Sequence, residues 1–97
     1  MKHCILVKWN NFVDFDRKNE IADEVQSLFL NLLKIQGIHE VKIHKNVIDR
    51  SNRFDLMILI EMDKEILSVY DDSETHHEWK EKYGKFVENK AIFDFEE

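Results

Sequence analysis

Phe54-Asp55-Leu56-Met57-Ile58-Leu59-Ile60-Glu61-Met62 is the most apolar segment of the chain, and its reading decides the fold. In a strand, successive side chains point to opposite faces. Phe54, Leu56, Ile58 and Ile60 then share one side, and Met57 and Leu59 the other. Lys2-His3-Cys4-Ile5-Leu6-Val7-Lys8-Trp9 repeats the pattern, with His3, Ile5, Val7 and Trp9 on one side and Cys4, Leu6 and Lys8 on the other. Strands that are apolar on both sides need cover on both.

The neighbouring segments supply only part of that cover. Val41, Ile43, Lys45 and Val47 alternate with Lys42, His44 and Asn46, which gives a strand with one drier face. The polar stretch Asp49–Arg53 joins it to the segment from Phe54, so an antiparallel hairpin is expected. Between the first two strands, Ile21, Ala22, Val25, Leu28, Phe29, Leu32 and Leu33 recur at helical spacing. With Asp16 as N-cap and Gly37 as the residue after the C-cap, a helix is predicted over about 17–36. Asp63 can open a short helix through Tyr70, and Ser73 another running to about Val87. Ala91, Phe93 and Phe95 alternate with Ile92 and Asp94 as a last strand.

Strand, helix, strand, strand, helical pair, strand is the order of an α+β fold. It describes a ferredoxin-like four-stranded antiparallel sheet with helices on one face and a right-handed first crossover, in a single domain over residues 1–97. The helices can cover one face only. The apolar residues on the other call for a second protein surface, most simply another copy of the chain across a twofold axis, and a homodimer is expected.

Composition narrows the functions. The chain has 97 residues, 14 Lys plus Arg against 20 Asp plus Glu, and a net charge of −6. At 43% hydrophobic and 35% charged residues it reads as globular. Gly37 and Gly84 are too far apart for a phosphate-cradling loop. A single cysteine allows neither an intrachain disulfide nor a Cys-x-x-Cys site, and Cys4, in an apolar strand, reads as inert core. The longest apolar run, Leu56–Ile60, falls far short of the roughly 20 residues of a membrane span. Residues 1–9 show no signal pattern, so a cytoplasmic location is expected, with no membrane partner. The acidic balance, and the lack of stacking aromatics in the middle of the third strand, argue against nucleic acid. Histidines 3, 39, 44, 76 and 77 form no zinc-protease pattern, and neither metal nor cofactor is expected.

Tyr70-Asp71-Asp72-Ser73-Glu74-Thr75-His76-His77 is the one suggestive cluster. On a helix starting after Ser73, His76 shares a face with Trp79, Lys80, Tyr83 and Val87, whereas His77 points to solvent. A tyrosine and a histidine in one pocket can do acid–base work: imidazole takes a proton, and phenol donates a hydrogen bond to a developing oxyanion. A histidine on an apolar helix face is more commonly a satisfied half-core residue. Its protonation is pulled both ways, since the helix N-terminus disfavours the cation and Asp71, Asp72, Glu74 and Glu78 favour it. His3 could meet His76 if its side of the strand faces the helices; as a frayed terminal residue it would not.

Taken together, Lys2–Trp9, Gln36-Gly37-Ile38-His39-Glu40-Val41, Arg50-Ser51-Asn52-Arg53-Phe54-Asp55-Leu56, the Tyr70–His76 stretch and Ile92-Phe93-Asp94-Phe95 resemble the stress-responsive dimeric α+β barrel (Dabb) family over nearly the whole chain. The resemblance implies a ferredoxin-like protomer whose sheet joins a second sheet in a dimeric barrel. It is similar to the family's plant cyclase, which closes a linear polyketide by a cofactor-free aldol reaction. That likeness implies His76 as general base, Tyr70 as oxyanion donor and His3 as an orienting partner. A surrounding pocket of Ile5, Val7, Trp9, Leu28 and Trp79 is expected to take a small apolar or aromatic ligand. Relatives commonly carry His-Pro where this chain has Ser73-Glu74. The fold is shared with antibiotic-biosynthesis and haem-degrading monooxygenases, for which His76 would be a haem ligand. A third alternative is a non-enzymatic, stress-associated dimer.

Overall fold

The computed structural model describes all of residues 1–97. Its regular elements are β1 (Lys2–Trp9), α1 (Lys18–Leu30), β2 (Ile38–Lys45), β3 (Leu56–Met62), α2 (Leu67–Asp71), α3 (Glu74–Tyr83) and β4 (Val87–Phe95). Short 3-10 turns, at Phe15–Arg17, Asn31–Lys34, Lys64–Ile66 and Gly84–Phe86, precede or extend the helices. The sheet order is β2-β3-β1-β4, and every neighbouring pair is antiparallel. This is the ferredoxin-like arrangement, with the two doubly apolar strands at the centre of the sheet.

Several boundaries differ from the sequence expectation, each for a local reason. The first α-helix stops at Leu30, because the Asn31 side-chain amide donates to the Leu28 carbonyl (3.1 Å) and the chain tightens into a 3-10 turn. Gly37 therefore lies beyond the cap, which is Ile35. It is needed all the same: its φ is +99°, and a Cβ there would come within 2.4 Å of Ile66 Cγ1. Asp16 sits inside the turn before α1. Asp63 holds the expected N-cap position, but its side chain makes no capping bond and accepts one from His39 Nε2 (2.8 Å). β2 starts earlier than expected, at Ile38, whose apolar side chain pairs with Met62 across a bulge. β4 also starts early, because Val87 and Asn89 pair with Trp9 and Lys8 despite the polar sequence around them.

Ladder partners share a face of the sheet, so the register assigns both surfaces. Across the helix side run the rows Val41-Ile60-His3-Asp94, Ile43-Ile58-Ile5-Ile92 and Lys45-Leu56-Val7-Lys90. On them α1 lays Ile21, Val25 and Phe29, all buried. Trp79 of α3 packs edge-on against Trp9 and Phe29, with ring centroids 6.2 and 5.6 Å apart. Across the open side run Lys42-Leu59-Cys4-Phe93, His44-Met57-Leu6-Ala91 and Glu40-Glu61-Lys2-Phe95. No helix covers these residues, and Phe93 is 68% exposed.

Candidate functional site

The first strand brings His3 to the helix side, where the α2–α3 corner descends on it. Tyr70, in the last turn of α2, is buried (1% exposed), and its ring lies between two imidazoles. His3 meets it edge-on at a centroid distance of 5.4 Å and His76 at 4.9 Å. The three residues proposed from sequence thus form one column, with His76 half-buried and His77 turned to solvent.

Ser73 sets the geometry of the corner. Its hydroxyl donates to the Tyr70 carbonyl (2.6 Å) and accepts from the His76 backbone N–H (3.2 Å), capping α3. One side chain thus holds the turn and touches the backbone of both residues.

His76 Nδ1 lies 2.9 Å from the Asp71 carbonyl oxygen, which can only accept. Nδ1 therefore carries the proton, and Nε2 of the neutral ring keeps its lone pair. Burial lowers the His76 pKa more than the Asp71 carbonyl raises it, and the nearby Lys80 and Lys90 lower it further. The competition between helix terminus and acidic neighbours is thus decided by desolvation, and the ring is held in its basic, neutral form.

Tyr70 is the inverse case. Burial, with a smaller contribution from Asp71, pushes its phenol far above the ordinary range. Its hydroxyl is enclosed yet has no hydrogen-bond partner in the protomer. Such a group is costly to bury and ready to donate.

Asp94 belongs to the site and escaped the sequence reading. Its carboxylate accepts from His3 Nδ1, which leaves His3 Nε2 as the ring's other polar atom. The signal was present, since Asp94 interrupts the aromatic alternation of Phe93 and Phe95, but only the register Opposite His3 gives it meaning.

Ile5, Val7, Trp9, Leu28 and Trp79, expected to surround a pocket, are all members of the packed core. In the protomer they fill space rather than enclose it. The four principal surface clefts are lined by other residues than His3, Tyr70 and His76; Leu28 borders one of them, beside Tyr83 and Asn31. Cys4 lies buried on the open side of the sheet, and burial raises its thiol pKa, which keeps it an unreactive thiol. No group of three or more His, Cys, Asp or Glu side chains is placed to hold a metal ion. No helix is long and apolar enough to cross a membrane.

No curated protein matches the chain in sequence. Solved structures match its fold. A dimeric protein of unknown function with a ferredoxin-like fold from Bacteroides fragilis superposes with a TM-score of 0.82 at 18% identity, covering 99% of this chain and 94% of the other. A Dabb family protein with a ferredoxin-like fold from Mesorhizobium loti gives 0.72 at 11% identity, with 99% and 94% covered. A hydroxynitrile lyase from Passiflora edulis gives 0.71 at 12% identity, with 97% and 89% covered. At these identities the likeness establishes the fold alone. The sequence itself matches the family model of the stress responsive A/B barrel domain over residues 1–97, and the chain belongs to that family.

Proposed function

We propose that the chain is a homodimeric barrel that binds a small apolar or aromatic carbonyl compound at the His3-Tyr70-His76 column and acts on it as a cofactor-free lyase or cyclase. The observation that carries this reading is the enclosed, unpartnered Tyr70 hydroxyl beside a neutral His76. In the step proposed, His76 Nε2 takes a proton from the carbon next to a ketone. The electron pair moves onto the ketone oxygen, which receives the Tyr70 hydrogen bond as it becomes an enolate. The enolate carbon then attacks a second carbonyl of the same molecule, and the resulting alkoxide recovers the proton from His76. Run in reverse, the sequence breaks a carbon–carbon bond. His3, oriented by Asp94, steadies the far side of the phenol ring. The hydroxynitrile lyase from Passiflora edulis shares this fold, which is consistent with the reading.

A second reading, a non-enzymatic dimer, has its own support. The residues expected around a pocket are close-packed, and the principal clefts bypass the column. Titration of the protein with a panel of small polyketides and aromatic ketones, followed through the imidazole resonances of His76, separates the two. The lyase reading predicts shifts at His76 that Tyr70→Phe weakens. Silence at His76 across the panel would favour the non-enzymatic dimer.

A further inference from the structure

The helix-side surface of β4 is only partly covered, and it runs alongside the column. Lys90, Ile92 and Asp94 project there in register with Val7, Ile5 and His3. Ile92 is 53% exposed although it stands next to buried Ile5. α3 packs over the same side of the sheet. It runs from His76, over Tyr70, to Trp79, which packs on Trp9 at the other end of β1. Lys80 follows His76 by one turn of the same helix and so faces the same way, displaced toward the Lys90 end.

The shelf therefore changes character along its length. At one end His3 is bound to Asp94, Ile92 lies in the middle, and Lys90 stands at the other end, with Lys80 one turn beyond His76 on α3. Both ammonium groups act electrostatically on His76. Neither has a carboxylate within ion-pair distance, in a chain whose net charge is −6. From Asp94 to Lys90 is four strand residues, roughly 13 Å. That length suits a carbonyl group, an apolar or aromatic body and one acidic group.

We infer that Lys80 and Lys90 form an anion subsite, so that the molecule handled by the Tyr70–His76 pair carries a carboxylate, held at the lysine end while its ketone reaches the phenol. The inference rests on the function proposed above and adds the substrate class. An anionic end also fixes direction, since Asp94 at the opposite end repels it.

The test uses 4-acetylbenzoate and its uncharged methyl ester, with binding read from His76 imidazole and Tyr70 ring resonances of the intact protein. The acid is expected to bind at least about tenfold more tightly than the ester, a preference that fades with added salt. A Lys80→Gln, Lys90→Gln double variant should bind the two probes about equally; both lysines are exposed, so the fold should be retained. Equal binding of acid and ester to the unaltered protein, with His76 shifting for both, would overturn the subsite and leave the proposed function standing. If neither probe moves His76 or Tyr70, both readings fail together. If the acid preference survives in the double variant, the subsite is not made by these lysines.

Discussion

Tyr70 holds a hydroxyl that the protomer encloses and does not satisfy. The chain has only one other tyrosine, Tyr83, which donates to Glu24 (3.0 Å) and whose pKa is also raised, chiefly by burial. A phenol whose folded pKa lies above its unfolded value favours folding while it is protonated. That contribution is complete below pH of about 10 and is lost as pH rises through the folded value. Alkaline titration of the folded protein should therefore show no phenolate absorbance around pH 10, with both tyrosines ionising only as circular dichroism reports unfolding. A full tyrosine equivalent of phenolate in the still-folded chain would contradict the environment described here. At this scale the sequence was partly legible. Helical spacing alone turned His76 inward and His77 outward. It could not say that Tyr70 would sit between two imidazoles, or that Asp94 would hold one of them, because those contacts join residues far apart in the chain.

Ser73 ties two elements with one hydroxyl, closing α2 at the Tyr70 carbonyl and opening α3 at the His76 amide. Replacing it with alanine should cost about 1 kcal/mol in denaturant unfolding, the usual loss for an N-cap. It should also shift the Tyr70 and His76 ring resonances, and Ser73→Thr should restore both. A loss of stability with unmoved rings would mean that the cap does not position the pair. The existence and type of the elements could be read from periodicity, because each buried face is spelled by local spacing. Their ends were less legible. Helix α1 gives way to a 3-10 turn where the Asn31 amide competes for a carbonyl, and β2 and β4 gain residues from pairing with strands whose alignment no local pattern encodes.

The molecule as a whole presents one sheet face with helices and one without. Leu59, Cys4 and Phe93 form a row across the open face, with Met57 and Leu6 in the next, ringed by Lys42, His44, Lys2 and Glu61. An apolar centre with a polar rim is the anatomy of a protein interface. This was the most legible feature of the chain, since two strands apolar on both sides cannot be buried by helices on one. What no sequence pattern carried was the packing of Ile5, Val7, Trp9, Leu28 and Trp79, which were expected around a pocket and instead fill the core. The His3-Tyr70-His76 column lies on the opposite, helix-bearing side of the sheet, so pairing through the open face would leave it uncovered.

Pairing through the open face is the claim on which the barrel depends, and sedimentation equilibrium at micromolar concentration measures it directly. A species of twice the 11.8 kDa protomer mass is predicted, falling to the single mass when Phe93→Asp places a charge in the centre of the face. A folded particle of 11.8 kDa for the unaltered chain would contradict the account.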